Sequence, residues 1–387
     1  MAKKSNNKSF IRIFLKGILL IVNILFAFGL LLSFAAQYIK PSFSLLTAYC
    51  GLGFQYLLLI NVVFVFLWLF LKYQFTLLSL VAILININNI DKLYQLRENE
   101  TPTKCVNCVK VMTYNVKLFG LYDSEDKGIR DKNRCEILDF INTEQPDILC
   151  FQEYFYDKSG KLNFSTTDTI LSILKLRSNK LYFQYFPFHR NEEYFYGYAT
   201  FSKYRIINSG IVELPDSSRM IATYVDIRFR GDTIRIYNAH LASIHFDKND
   251  YDTGWQFANN KMNDPKLNKK AKKIYDKISN AFILRQIESK TLGKHIAKSP
   301  HPVIVCGDLN DSPISYTYNQ VKKRLKDSFR ESGKGMETTY SGDVFPNFRI
   351  DYIFHNKRYN SYGHTVCTDI TVSDHYPVYC HISLLKK

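Results

Sequence analysis

Apolar positions follow two regimes along this chain, and the change falls near residue 90. Before it lie three long uncharged runs, 17–39, 41–71 and 73–90. Each reaches the ~18–20 apolar residues that a helix needs to cross a bilayer. The third is the weakest, because Asn86, Asn88 and Asn89 crowd its end. A cleaved signal peptide is a poor account of the first run. The run is too long for the apolar stretch of such a peptide, carries no good small-residue cleavage site and is followed by more apolar sequence. The pattern predicts a membrane anchor over residues 1–90 with about three transmembrane helices, then a polar linker over 91–108. The anchor helices carry charge only at their ends, so they offer no path for ions.

From residue 109 onward the apolar runs become short and alternate with polar positions. Strands are expected at 109–115, 147–153, 197–202, 224–229, 233–240, 302–306, 350–355 and 376–382. Helical spacing appears at 134–143, where Ile137, Leu138 and Ile141 form one face, and again at 271–292. Period-two alternation indicates mainly antiparallel sheets, each buried on one face. Strands mixed with helices give an α/β sandwich, with two sheets face to face and helices outside. There is no internal repeat.

Composition and charge refine this picture. Of 387 residues, 27 are Tyr and 29 Phe, enough core-forming side chains to exclude a disordered chain. The net charge is +16; nine basic and three acidic residues in the first hundred leave +10 for the remainder. A basic globular part suits a polyanion or a membrane surface. Lys3, Lys4, Lys8, Arg12 and Lys16 favour a cytoplasmic N-terminus, and three crossings then place residue 91 onward outside the cytoplasm. Lys92, Arg97, Lys104 and Lys110, flanking the last crossing, pull the other way. Cys105 and Cys108 form a lone C-x-x-C without the second ligand pair of a zinc site, which leaves a local disulfide or two free thiols. Cys150, Cys306 and Cys380 sit in apolar strands and are expected as packed core thiols.

The polar residues that stand out share one location, the ends of the expected strands. They are Asn115 in Met-Thr-Tyr-Asn, Glu153 in Phe-Gln-Glu, His240 in Tyr-Asn-Ala-His-Leu, Asp308 and Asn310 in Gly-Asp-Leu-Asn-Asp, Asp351 in Arg-Ile-Asp-Tyr, and Asp374 with His375 in Ser-Asp-His-Tyr-Pro. Strand ends converge on one edge of a sandwich, where sites are usually built. Singly, each has an ordinary role as an edge charge, a turn former or a hydrogen-bonded structural histidine. Together they form an oxygen-rich set suited to Mg²⁺ or Mn²⁺. Four acids gathered without a cation would raise one another's pKa values, and a metal removes that conflict. Two histidines and an Asn/Asp pair then supply what phosphoryl transfer needs besides the ion: a group to position water, and donors to the phosphoryl oxygens.

These motifs, in this order, resemble the endonuclease/exonuclease/phosphatase superfamily, which includes DNase-type nucleases, neutral sphingomyelinases and inositol polyphosphate 5-phosphatases. The resemblance covers about residues 109–386 and is most specific in Gln152-Glu153, Gly307-Asp308-Leu309-Asn310 and Ser373-Asp374-His375. It implies a four-layer α/β sandwich and Mg²⁺ or Mn²⁺ catalysis. It implies Asn115, Glu153 and Asp374 at the metal, and His240, Asp308, Asn310, Asp351 and His375 as the catalytic set. Within that set Asp308 handles the attacking water, Asn310 touches the phosphate, Asp351 orients His375, and His240 assists the leaving group. Some nuclease members carry an acid two residues after the first-strand Asn; here that position is Lys117.

The expected activity is hydrolysis of a phosphodiester or phosphomonoester by metal-activated water. The partners are a phosphate-ester substrate, either a lipid head group or nucleic acid, and the lipid bilayer. A tether of 18 residues (91–108) keeps the site near the membrane, which favours a lipid-linked or surface-accessible substrate. The alternatives are a nuclease acting on DNA or RNA and a non-catalytic membrane scaffold, but no main motif is broken. Arg219 is either a phosphate contact or a surface charge. The Lys-rich insertion at 243–280, with Trp255 and Phe257, is either a solvated surface or a membrane-surface contact.

Overall fold

The computed structural model describes the chain apart from residues 1, 97–107, 122–125, 163, 165, 189–190, 216, 218, 245–264, 343–347 and 385–387. Most of the linker, Cys105, and the stretch of the insertion bearing Trp255 and Phe257 therefore lie outside the described residues. The chain divides into two compact units, Met1–Leu93 with Ser312–Asn319, and Tyr94–Asp311 with Gln320–Lys387.

The first unit is helical. Its main helices are Ala2–Ala35, Leu45–Leu52, Phe54–Leu71 and Thr76–Ile85. Phe10–Ala35 and Phe54–Leu71 are long and apolar enough to cross a membrane, whereas Tyr73–Ile85 is shorter. Thirteen residues rise only ~20 Å, against ~30 Å of hydrocarbon. The third expected crossing is thus broken at its polar end, where Asn86 turns its amide onto the Leu30 and Ala82 carbonyls. The second run is also interrupted, by a helix boundary at Gly53. Side chains in this unit are arranged inside out relative to a soluble bundle. Leu25, Phe28, Phe66 and Phe70 face outward, while Asn23, Asn61 and Ser79 are buried. Asn23 donates to Ser79 Oγ at 2.6 Å and accepts from Trp68 Nε1 at 2.9 Å. Ile314, from the segment Ser312–Asn319, packs with Ala27, Leu30, Phe54 and Ala82.

The second unit is a four-layer α/β sandwich. Its strands in chain order are β1 Tyr94–Gln95, β2 Cys108–Asn115, β3 Ile148–Asp157, β4 Leu181–Phe188, β5 Asn191–Ser202, β6 Arg205–Glu213, β7 Met220–Phe229, β8 Asp232–His240, β9 Val303–Asp308, β10 Leu325–Asp327, β11 Gly335–Met336, β12 Asp351–Asn356, β13 Asn360–Val366 and β14 Val378–Ser383. Two six-stranded sheets run β13-β14-β2-β3-β5-β4 and β10-β12-β9-β8-β7-β6; β1 and β11 form a separate pair. Each large sheet is antiparallel except for one central parallel pair, β2/β3 and β8/β9. A parallel pair needs a crossover, and helices supply both, Lys127–Glu144 and Pro265–Ala297.

Alternation along β2 divides the core. Val109 and Val111 face the second sheet, meeting Ile236, Ile304 and Cys306, while Met112 and Tyr114 face Ile137, Leu138 and Ile141 of the first crossover helix. Cys150, Cys306 and Cys380 are free, buried thiols of the inter-sheet core, and Cys108 is disulfide-bonded. The eight expected strands are all present. Six others were not foreseen: the short pair β1 and β11, and β4, β6, β10 and β13, which are the outermost strands of the two sheets. An edge strand exposed along most of its length, as β6 is, needs no apolar face and so leaves no alternation to read.

The two sheets are clamped at one end by Glu331. Its carboxylate accepts from Lys326 Nζ of β10 at 2.6 Å and from the Ser361 backbone and hydroxyl of β13 at 2.7 and 2.8 Å, and lies 3.0 Å from His355 Nε2 of β12. Burial alone would raise its pKa, but His355, Lys326 and Ser361 outweigh it and hold the group at about 2, below the usual 4.5. A depressed carboxylate contributes stability that is present above pH 4.5 and lost as pH falls toward 2. The contribution is on the order of 3 kcal/mol. Glu331→Gln should therefore lower the thermal midpoint at pH 7 and flatten its fall between pH 5 and 3, followed by near-ultraviolet circular dichroism. An unchanged acid slope in the variant would remove Glu331 as the clamp.

Candidate active site

The topology explains why the chemistry gathers at one edge. The two parallel pairs bring C-terminal strand ends side by side: Asn115 opposite Gln152 in one sheet, His240 opposite Asp308 in the other. The antiparallel neighbour β12 begins at the same level, with Asp351 opposite Asp308. His375 lies just before β14, which pairs with β2 from Val378 onward.

Asp308 is the hub. Its side chain is fully buried, yet Oδ2 has four polar neighbours: Asn310 Nδ2 at 3.0 Å, Asn115 Nδ2 at 3.3 Å, and His240 Nε2 and His375 Nε2 each at 3.6 Å. Oδ1 accepts from the Asn310 backbone at 2.7 Å. Burial drives the Asp308 pKa up to about 6, with Asp351 adding to the rise and His375, His240 and Asn310 opposing it. His375 is held on its other nitrogen by Asp351, with Nδ1 2.9 Å from Oδ2. Burial would depress this imidazole, but Asp351 and Asp308 together raise its pKa to about 10, so it carries a positive charge at neutral pH. The ligand atoms of Asp308, Asp351 and His375 lie within 4.8 Å of one another.

Glu153 reaches the site through a defect in its strand. The β3–β5 register shifts between Phe151 and Tyr154, and Glu153 takes a left-handed φ of 51°. A regular strand would turn residue 153 away from the face that carries Gln152's neighbours; the bulge re-aims it. Its Oε1 then lies 3.5 Å from Asn115 Nδ2 and 3.7 Å from His240 Nε2. Asn238 secures the bulge from the opposite sheet by donating to the Phe151 and Ala199 carbonyls and accepting from Gln152 Nε2 at 2.7 Å. Asn310 is also left-handed, φ 52°. Gly307 must be glycine, because its φ is 140° and a Cβ there would stand 1.9 Å from the Ala239 carbonyl oxygen.

The other expected residues sit around this centre. Asp374 lies beside Ser373 Oγ at 3.4 Å and Lys117 Nζ at 3.9 Å. Lys117 therefore brings an ammonium to the site edge. Residues Lys117, Leu118, Phe119 and Gly120 all have positive φ, a left-handed turn that sends Phe119 into the aromatic core against Phe151 and Tyr154. Glu153 and His240 open onto a cavity of about 800 Å³ that Arg219 also lines.

Three residues at the site were not foreseen. Tyr198 donates to the His240 carbonyl at 3.2 Å. Glu288 and Arg285, on the second crossover helix, grip the backbone just past His240: Glu288 Oε2 accepts from Ala242 N at 2.7 Å and Arg285 Nη1 donates to Ala242 O at 3.0 Å. Glu288 Oε1 also lies 3.0 Å from Arg219 Nε, and Arg285 Nε 3.4 Å from Asp311 Oδ2. Burial raises the pKa of Glu288, while Ala242, Arg219 and Arg285 counter it. The sequence did carry a signal: 281, 282, 285, 288, 289, 292 and 296 form one helical stripe, and charges at positions that periodicity assigns to the core need partners.

A family model described as the endonuclease/exonuclease/phosphatase family matches residues 112–375. A second, described as a domain of unknown function, matches residues 16–93. No curated protein matches the chain. Among solved structures, an endonuclease/exonuclease/phosphatase from Beutenbergia cavernae is 16% identical, with 72% of each chain covered and a TM-score of 0.48. An endonuclease/exonuclease/phosphatase from Bacteroides vulgatus is 17% identical over 72% of this chain and 100% of its own, TM-score 0.45. The human Nocturnin catalytic domain is 18% identical over 72% and 93%, TM-score 0.46.

Glu288 tests the helix-borne support. Glu288→Leu leaves the buried Ala242 amide without its acceptor and Arg219 without its carboxylate, and should destabilise the second unit by roughly 1–3 kcal/mol. Glu288→Gln, which still accepts from Ala242, should recover part of that loss. Equal thermal midpoints for wild type and the Leu variant would show that the helix does not support the site.

Proposed function

This chain belongs to the endonuclease/exonuclease/phosphatase family, and we propose that it is a membrane-anchored, divalent-metal-dependent phosphoesterase with a lipid-linked or surface-accessible substrate. Members of the family are metal-dependent phosphoester hydrolases, nucleases and phosphatases among them. The observation that carries the reading is the buried Asp308 carboxylate, ringed by two amides and two imidazoles beside an open cavity.

A hard cation fits the donor set. Carboxylates and a carboxamide dominate it, and Asp351 Oδ1 is buried without a hydrogen-bond partner. Two groupings compete for the ion. Asp308, Asp351 and His375 are close enough together, but His375 Nδ1 is already engaged by Asp351 and all three are buried. Glu153 is about a third exposed on the cavity, where a hydrated Mg²⁺ or Mn²⁺ can keep its waters. We therefore assign the ion to Asn115, Glu153 and Asp374. When bound, it supplies Lewis-acid polarisation of a phosphoryl oxygen.

The chain's own groups perform the rest. Asp308, whose pKa burial raises above the usual carboxylate range, takes the proton of the attacking water. Asn310 and Asn115 fix that carboxylate by donating their side-chain amides to its Oδ2. His375, kept cationic and oriented by Asp351, stabilises negative charge on the phosphoryl oxygens. His240, set by Tyr198, hands a proton to the departing oxygen. Water adds to phosphorus, the ester P–O bond breaks, and the products are a phosphate and an alcohol.

The apolar helices support anchoring, and only a few residues separate the helix ending at Ile90 from β1 of the second unit, which keeps the site within reach of a bilayer. A tethered site meets lipid head groups at high effective concentration. A nuclease is the second reading, favoured by the +10 charge beyond residue 100.

The full-length protein in lipid nanodiscs should lose activity on chelation and regain it with Mg²⁺ or Mn²⁺. Glu153→Gln, Asp308→Asn and His375→Ala should each lower turnover at least roughly 10²-fold. Normal turnover in all three variants would show the chemistry to be elsewhere. Across plasmid DNA, RNA and phospholipid vesicles, cleavage of DNA with no phospholipid hydrolysis would reverse the preference for lipid.

We further place the catalytic unit outside the cytoplasm. The disulfide at Cys108, a bond of oxidising compartments, supports this; with a cytoplasmic N-terminus it requires the short third run, Tyr73–Ile85, to complete a crossing. A reporter fused after residue 387 should be active only outside; one active only in the cytoplasm overturns the placement.

A further inference from the structure

The cavity beside Glu153 and His240 is chemically divided. At about 800 Å³ it exceeds what a phosphate group needs and falls in the range of whole small-molecule sites. Its polar groups, Glu153, His240 and Arg219, accompany an apolar wall of Leu118, Phe186, Tyr196 and Met220. Phe186 and Tyr196 are cross-strand partners on β4 and β5, their ring centroids 5.8 Å apart and their planes tilted by 46°. Tyr196 is 38% exposed and therefore available to a ligand. Opposite in character is Arg219. Its side chain is 45% exposed while Nε is fixed by buried Glu288, so the terminal nitrogens remain as donors on a guanidinium that cannot swing away.

A polar floor could serve any phosphoester, but the wall cannot: leaving Phe186, Tyr196 and Leu118 against water gains nothing. The two ring planes are inclined rather than parallel, so they make no slot for a flat base between them. They form a concave apolar corner. We propose that this wall is a specificity site for the hydrocarbon portion of a phosphate-bearing amphiphile, with Arg219, positioned by Glu288, holding an anionic oxygen of the same ligand. The inference rests on the phosphoesterase reading of the site and names its substrate class. Preference for hydrocarbon then comes from apolar burial on β4 and β5, away from the groups that break the ester.

Direct binding tests this independently of turnover. The full-length chain in zwitterionic nanodiscs is titrated calorimetrically, without metal, with methyl phosphate, hexyl phosphate and adenosine 5′-monophosphate, and titrations of empty nanodiscs are subtracted. Hexyl phosphate should bind at least roughly 30-fold tighter than methyl phosphate, a conservative share of what five buried methylenes supply. The double variant Phe186→Ala/Tyr196→Ala should shrink that ratio to within about threefold, and Tyr196→Leu, which keeps an apolar wall, should preserve it. Arg219→Gln should weaken both alkyl phosphates by a similar factor. Equal affinity for the two in wild type, a ratio that survives the double variant, or tighter binding of the nucleotide than of hexyl phosphate would each overturn the proposal. If hexyl phosphate is preferred but no phosphoester is hydrolysed with metal present, the catalytic reading fails while the specificity site stands. Hydrolysis without alkyl preference gives the reverse.

Discussion

The organising constraint of the second unit is the burial of the Asp308 carboxylate. Taking a charged group out of water costs several kcal/mol unless donors and cations replace its hydration. Asp308 obtains them from four places in the chain: Asn115 at the end of β2, His240 at the end of β8, Asn310 two residues on, and His375 before β14. None of these is near all the others in sequence. Two sheets must pack face to face, with both central parallel pairs ending at one edge, for that ring to close. The ring and the sandwich therefore specify each other.

Strain at the rim is carried by the layers beneath. Glu153, Asn310 and the turn at Lys117–Gly120 hold left-handed backbone, which for non-glycine residues costs ~1–2 kcal/mol each. Below them, the Asn238 amide binds carbonyls of both β3 and β5, and Gln152 closes the link between the sheets. Phe119 converts the strained turn into aromatic packing. On the outer side, Arg285 and Glu288 hold both backbone groups of Ala242, two residues beyond His240. The edge that carries the candidate site is thus pinned from the core and from the crossover helix.

The two units solve opposite solvation problems. The second buries its apolar side chains and spends its few buried charges in matched sets, such as Arg349 between Asp327 at 2.5 Å and Glu337 at 3.2 Å. The first faces its apolar side chains outward and pairs Asn23, Trp68 and Ser79 within. Its helices are apolar around their circumference, a composition that suits hydrocarbon surroundings.

The eight main strands and the two crossover helices were legible in the sequence, because periodicity is local and strand ends can be read from it. Asn115, His240, Asp308, Asp351 and His375 each end or precede an apolar run, so their convergence follows once the fold class is known. Other features depend on contacts far apart in the chain. The edge strands β4, β6, β10 and β13 exist because a neighbour offers free backbone groups, not because of their own pattern. Helix length was overread at 73–90, where composition continues but Asn86 finds carbonyl partners that stop the helix. Glu153's reach depends on a bulge stabilised by Asn238, 85 residues away in number. Arg219 became a fixed guanidinium only when Glu288 was folded beneath it. The sequence by itself determined which polar side chains stand at the strand ends and roughly where each element runs. Tertiary structure alone decided which charges are buried together, since the cost of burying a charge is met by partners that only the folded chain brings within reach.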